Sequence, residues 1–309
     1  MTKHWDQDDI PDQQGRVIIV TGGNSGIGYE AGLALAGKNA HVILAVRDLD
    51  KGNKSAGAIR QRYPQAQITV MMVDLADLKS IQTFTTTFLA HYKKLDILIN
   101  NAGVMALPRR KTVDGFEMHF GTNHLGHFAL TGLLLPVLKA TPGARVVTVS
   151  SGVHVSGAIH FDDLQWEQRY DRWGAYAQSK LANLLFAYEL QRRFIDSGIN
   201  AISVGCHPGY AATNLQFAGP KMDGSIVGVW MMKLGNALFA QGKDTGALPT
   251  LYAAGAPDVN GCDYIGPIGL GGGRGYPGKV KSNNKSYDEA LAKRLWKVSE
   301  ELTKVFYNF

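Results

Sequence analysis

The chain has 309 residues, 45% hydrophobic and 19% charged, an ordinary balance for a soluble globular protein and not for a disordered one. Its formal charge of +6 comes from scattered lysines and arginines. Arg109, Arg110 and Lys111 are the densest group, and no aromatic-interleaved basic stripe joins them, which excludes a nucleic-acid-binding surface. No apolar run reaches the roughly 18 residues of a membrane span; the nearest, 226–240, is broken by Lys233 and Asn236.

Residues 1–14 are a polar, acidic N-terminal extension without the apolar core of a signal peptide. Cys206 and Cys262 have neither metal nor disulfide spacing. The expectation is a cytoplasmic protein with free thiols, no metal and no stable membrane insertion.

Residues 16–21 are a short β-branched run ending at glycines, the pattern of a parallel strand covered on both faces. Gly22, Gly23, Asn24, Ser25, Gly26, Ile27 and Gly28 follow, and a helix is predicted from Tyr29. Glycines let the backbone turn tightly and approach a ligand, while a helix N-terminus offers free N–H groups to phosphate. The spacing G-x-x-x-G-x-G takes its meaning from the strand–loop–helix context, which points to a dinucleotide; without a ligand it is an ordinary turn.

The second strand, 41–46, runs into Arg47 and Asp48, where a dinucleotide fold meets the adenosine ribose. An acidic strand end would hold a 2′-hydroxyl, whereas Arg47 suits a 2′-phosphate. NADP(H) is therefore expected over NAD(H), the alternative being an arginine that merely opens a helix in solvent. Asp48 is expected to be the N-cap of a helix over 49–62. A third strand (68–73) leads to Asp74 and Leu75, a helix spans 77–92, and a fourth strand (95–99) ends at Asn100, Asn101, Ala102 and Gly103. This alternation predicts a parallel sheet with right-handed crossovers and ligands beyond the strands' C-terminal ends.

Residues 114–140 read as one long helix holding Asn123, His124 and His127, with no chemistry assigned to the histidines. A fifth strand (145–149) ends at Ser150 and Ser151. The connection 152–174, with Phe161, Trp166, Tyr170 and Trp173, is long enough to be functional or to carry short elements of its own. In the helix that follows, Tyr176 and Lys180 stand four residues apart, on one face. A phenol titrates near about 10 and a neighbouring cation favours the phenolate. Tyr176 is thus a candidate general acid/base for a carbonyl/alcohol pair.

A sixth strand (199–204) leads into Pro208, Gly209, Tyr210 and Thr213. Residues 210–245, glycine-dotted and rich in Met, Trp and Phe, read as a substrate lid or as a peripheral helix. A helix over 244–253, a short seventh strand at 262–265, a Gly/Pro-rich loop over 266–284 and a helix over 287–307 complete the chain; 266–309 is a C-terminal extension. The expected fold is α/β: one doubly wound, Rossmann-type domain whose mostly parallel seven-stranded sheet carries helices on both faces.

With the glycine loop, Asn100–Gly103, the strand-end serine and Tyr-x-x-x-Lys in that order, the chain resembles the short-chain dehydrogenase/reductase family from about Gly15 to Asn260. Segments 44–48, 122–128 and 179–183 look most like its retinol-dehydrogenase-type branch. The membrane-anchoring segment common in that branch is absent from this sequence, so the resemblance carries neither membrane attachment nor retinoid specificity.

The resemblance implies that Tyr176 exchanges the proton with the substrate oxygen. Lys180 would lower the Tyr176 pKa and hold the nicotinamide ribose, Ser151 (with Ser150 as competitor) would bond the substrate oxygen, and Asn123 would hold a relay water. Gly22, Asn24, Ser25, Gly26 and Ile27 would line the pyrophosphate, and Arg47 the 2′-phosphate. Asp74 and Leu75 would meet the adenine, Asn101, Ala102 and Gly103 the adenosine ribose and neighbouring backbone, and Pro208, Gly209 and Thr213 the carboxamide. Val153, His154 and Tyr210 would join Ser151 around the substrate.

The implied activity is metal-free hydride transfer between NADP(H) and a small-molecule carbonyl or alcohol, the aromatic and Met-rich loops suggesting a lipophilic one. The alternatives are a non-catalytic NADP(H)-binding sensor or scaffold and a light-driven reductase of the protochlorophyllide type. Family members often pair through the helices near 114–140 and 174–196, so a homodimer is one expectation; the alternative is a monomer whose long insertion before Tyr176 covers that face.

Overall fold

Strands and helices alternate from the N-terminus onward because short β-branched runs are separated by capped helical segments. The computed structural model describes residues 4–210 and 242–309. The strands are β1 (Val17–Thr21), β2 (His41–Val46), β3 (Gln67–Met72), β4 (Ile97–Asn100), β5 (Ala144–Val149), β6 (Ala201–Cys206), β7 (Tyr264–Gly269) and β8 (Arg274–Val280). They form one sheet in the order β3-β2-β1-β4-β5-β6-β7-β8, parallel throughout except for the β7–β8 pair. The helices are α1 (Gly26–Gly37), α2 (Leu49–Arg62), α3 (Leu78–His91), α4 (Gly126–Leu133), α5 (Leu135–Lys139), α6 (Arg172–Asp196), α7 (Lys243–Gly255) and α8 (Glu289–Thr303). The expected doubly wound domain is what forms.

Successive residues of a strand point to opposite faces, and β1 shows why both faces must be covered. Ile18 and Val20 join Leu35 of α1 and Leu251 of α7 in one core, while Val17 and Ile19 join Phe84, Phe88, Phe128 and Phe186 in the other. All five β1 residues are buried. A strand buried on both sides reads as an unbroken apolar run, and it ends where Gly22 begins the turn toward the cleft.

Two elements differ from expectation. The Gly/Pro-rich stretch 266–284 is not all loop: it holds most of β7 and the antiparallel edge strand β8, with Pro267 opposite Pro277. Proline lacks the N–H a central strand needs but is tolerated at an edge, so the sheet has eight strands, not seven. The long helix expected over 114–140 is instead a π-helical turn, Phe120–Leu125, followed by α4 and α5. Pro136 near the start of α5 cannot donate into the preceding turn.

The C-terminal extension packs back onto this layer. Trp296 of α8 stacks on Phe186 at 5.7 Å and meets Phe128 edge-on at 5.0 Å. The Tyr307 hydroxyl donates to the Phe128 carbonyl at 2.6 Å. The outer faces of α4 and α6 are therefore covered by the chain itself. Among the described residues no helix is long and apolar enough to cross a membrane. The expected lid, apart from Tyr210 and 242–245, and with it Thr213, lies outside the described residues.

Candidate active site

A cleft of about 600 Å³ opens at the C-terminal ends of β1, β2, β4, β5 and β6. Its nucleotide end is built by the turn after β1. Gly22 has φ of +67° and stands against Ala102, and a Cβ on Gly28 would meet the Gly22 carbonyl at 2.6 Å and Asn101 Nδ2 at 2.5 Å. Only glycines let the three chain segments close this far. Ser25, the N-cap of α1, does not spend its side chain on the helix, which leaves the first-turn N–H groups facing the cleft for an anion. Asn24, Gly26 and Ile27 line the same wall.

Thr21 ties the cleft floor together. Its Oγ1 accepts from the backbone N–H of Asn101 at 2.9 Å and of Ala102 at 3.0 Å, while Asn101 Nδ2 donates to the Thr21 carbonyl at 2.8 Å. The Asn101 side chain is thus a brace between β1 and β4, and it is the backbone of Asn101, Ala102 and Gly103 that shapes the wall.

At the far end Arg47 is exposed and lines the cleft beside Lys51. Asp48 faces its own helix: it caps α2 by accepting from Lys51 N–H at 3.0 Å and pairs with Lys51 Nζ at 2.6 Å. Asp74 and Leu75 line the opposite side, Asp74 Oδ1 accepting from Ala76 N–H at 2.9 Å. A glycine cradle under an open helix N-terminus fits the pyrophosphate of a dinucleotide.

The catalytic end is built by α6. Asp171 caps it, accepting from Gly174 N–H at 2.8 Å, so Tyr176 and Lys180 fall on consecutive turns facing β5. The Ser151 side chain stands beside the Tyr176 phenol in the cleft and acts to lower its pKa. Lys180 Nζ stands 5.8 Å from the centre of that ring and donates to the Val149 carbonyl at 3.2 Å. Burial pushes the phenol up to about 12 and the ammonium down to about 8. The expected lowering of the Tyr176 pKa is absent here, because desolvation of the phenolate outweighs its neighbours. Tyr176 therefore carries its proton at neutral pH.

Of the two serines, Ser150 Oγ donates to the Lys180 carbonyl at 2.8 Å, a brace for α6, and Ser151 stands beside the phenol. Asn123 lies in the π-helical turn, fully buried. Its Oδ1 accepts from Val104 N–H at 2.7 Å, and its Nδ2 donates to the Val104 carbonyl at 3.0 Å and to Ser179 Oγ at 2.9 Å. It pins the Val104 wall to α6. Pro208, Gly209, Tyr210 and Val153 line the cleft. His154 does not: it is 3% exposed and turned into the protein.

Residues not named for the site line it as well, among them Lys51, Val104, Met105 and Trp173, Trp173 lying edge-on to the Tyr176 ring at 6.2 Å. His127 acts from behind. Its Nδ1–H donates to the Asn123 carbonyl and its Nε2 accepts from the Thr21 hydroxyl, both at 2.9 Å, with burial holding its pKa down at about 4. One buried neutral imidazole thus joins the glycine-loop strand to the Asn123 turn. Only its spacing of four from Asn123, one helical turn, hinted at this.

A family profile described as short chain dehydrogenase matches residues 16–222. Mouse (Mus musculus) retinol dehydrogenase 12 is 42% identical over 290 residues, which cover 93% of this chain and 86% of the relative. Zebrafish (Danio rerio) polyprenol dehydrogenase is 39% identical over 297 residues, covering 94% and 87%. A crystal structure of an uncharacterized Mycobacterium paratuberculosis protein superposes with a TM-score of 0.82 at 42% identity, over 99% of this chain and all (100%) of that one.

Proposed function

The chain belongs to the short-chain dehydrogenase family, and from that premise we propose that it interconverts a lipophilic aldehyde or ketone with its alcohol, using NADP(H) in preference to NAD(H). Family membership carries the nicotinamide-dependent alcohol/carbonyl oxidoreduction. The finer reading rests on one observation: Ser151 and the buried Tyr176 phenol stand side by side in the cleft, with Lys180 Nζ 5.8 Å from the centre of the phenol ring.

A nicotinamide bound along the cleft supplies or accepts the hydride. Gly22 to Ile27 would hold its phosphates, Arg47 and Lys51 would meet a 2′-phosphate, and Pro208 and Gly209 would border the nicotinamide. The protonated Tyr176 phenol gives its proton to the carbonyl oxygen as negative charge develops there, and the Ser151 hydroxyl donates a second hydrogen bond to the same oxygen. Lys180 lies under the phenol, where its charge opposes the charge left on Tyr176.

Val104, Met105, Val153 and Trp173 give the substrate end an apolar lining. Retinol and polyprenol, the alcohols named in two relatives, are lipophilic in the same sense. A monomer in the cytoplasm completes the proposal, since α8 and the C-terminal tail cover α4 and α6; light scattering on the purified chain reads its mass directly.

The test is NADPH oxidation in the dark with a panel of aldehydes and ketones of increasing apolarity. Turnover that rises with apolarity supports the proposal. NADPH binding without turnover of any carbonyl supports a sensor or scaffold instead, and turnover only under illumination supports a light-driven reductase.

A further inference from the structure

We infer that His154 is a positioning residue whose neutral imidazole ties Ser151 to Asn283 of the C-terminal extension and so holds the Ser151 hydroxyl against the Tyr176 phenol. The inference rests on the proposed role of Ser151 and adds to it a part of the chain far from the cleft.

Ser151 leaves the end of β5 and opens a short 3-10 turn, Gly152–Ser156. Its own cap is weak: the hydroxyl accepts from Val153 N–H at 3.5 Å, the outer limit of a hydrogen bond. The strong contact on this residue comes from His154, whose Nδ1–H donates to the Ser151 carbonyl at 2.7 Å. On the other side of the ring the Asn283 backbone N–H donates to Nε2 at 3.2 Å, and Asn283 Nδ2 donates to the His154 carbonyl at 3.1 Å.

A donor at Nδ1 and an acceptor at Nε2 define one tautomer of the neutral ring. Burial, which disfavours the charged ring, acts in the same direction. Tyr264 holds the ring edge-on at 5.5 Å.

Asn283 is itself fixed. Its Oδ1 accepts from Ser286 N–H at 3.1 Å, which caps the turn Asn284–Tyr287. Lys285 Nζ, on the same turn, donates to the Gly157 carbonyl at 3.1 Å. The turn that Ser151 opens is therefore held at its middle, His154, and just past its end, Gly157, by residues about 130 positions away. A group acting on a developing charge must be placed within a fraction of an ångström, and a misplacement of about 1 Å costs up to about a hundred-fold in rate.

The experiment is a double-mutant cycle read in kcat. His154→Ala in the wild-type background is expected to lower kcat at least about ten-fold while the NADPH dissociation constant stays within about two-fold. In a Ser151→Ala background the same change is expected to cost less than about two-fold, because the group being positioned is gone. His154→Asn, whose amide can still donate to the Ser151 carbonyl, should recover most of the loss. Asn283→Ala, which leaves the imidazole in place, should show a smaller loss of about three-fold with the same dependence on Ser151, and it carries the test if His154→Ala does not fold. Equal losses with and without Ser151, or no loss in kcat, overturn the inference and leave the role of Ser151 standing. A Ser151→Ala enzyme with wild-type kcat removes both together.

Discussion

The nucleotide end and the catalytic end of the cleft are assembled by different means. At the nucleotide end, Gly22 to Gly28 are contiguous, and the strand, turn and helix that form the cradle follow one another within about twenty residues. At the catalytic end, Asn123 is bonded to Ser179, Ser150 to the Lys180 carbonyl, and His154, which holds the Ser151 carbonyl, to Asn283, contacts that span up to 129 residues for the His154–Asn283 bond. The first is a local motif that any similar strand–helix unit can carry. The second depends on the whole domain, including an extension that supplies none of the groups lining the cleft. A local motif should tolerate change elsewhere in the fold, and a distributed one should not.

The sharpest way to separate the two ends is Tyr176→Phe. Removing the hydroxyl is expected to lower kcat by about 10²–10⁴-fold while NADPH still quenches or shifts its fluorescence on binding with unchanged affinity. Parallel loss of both would show that the two ends are not independent.

Acid should act next, and on the buried scaffold. His124, His127 and His207 are held neutral by burial at about 3, about 4 and about 4. An unfolded histidine takes up its proton near about 6.5. Stability from these groups is therefore complete above about pH 6.5 and is lost as pH falls toward about 4, by on the order of 3 kcal/mol each. Urea midpoints measured from pH 7.5 down to 4.5 check this; a flat profile contradicts it.

Arg47→Ala comes third. Its loss should raise the KM for NADPH about 10–100-fold, the worth of a charge-assisted phosphate contact, with the NADH constant nearly unchanged. Equal effects on both cofactors would remove Arg47 from the 2′-phosphate. The smallest effect is expected from Trp173→Ala, which takes an exposed apolar wall from the substrate end. KM for lipophilic carbonyls should rise about three- to ten-fold, consistent with the transfer energy of partly buried apolar surface, with kcat for small carbonyls retained.

Much of the nucleotide end was legible in the sequence because its cues are local. A β-branched run, glycines and an Asp before a helix predicted β1, the cradle and the Asp48 cap, and each forms as expected. Tyr176 and Lys180 were legible for the same reason, one helical spacing. Ser151 was preferred over Ser150 because it lies just past the strand end, whereas the use of Ser150 Oγ as a brace on the Lys180 carbonyl depends on the packing of α6 and could not be read from spacing. The resemblance put His154 beside the substrate; a 3-10 turn rotates it inward, toward a partner that no spacing could reveal. β8 was hidden by its glycines and Pro277, which only an antiparallel edge accommodates. The sign of the Tyr176 shift was missed because adjacency to Lys180 can be read from spacing, whereas the desolvation that outweighs it follows from the packed fold.

The most direct test of the central claim follows the hydride itself. NADPH deuterated at the transferring C4 position is incubated in the dark with a lipophilic aldehyde, and the alcohol is analysed by mass spectrometry. The account predicts one deuterium on the carbinol carbon with the wild-type chain and a trace at most with Tyr176→Phe. Alcohol that carries no label, or labelled alcohol formed equally fast by both proteins, would contradict it.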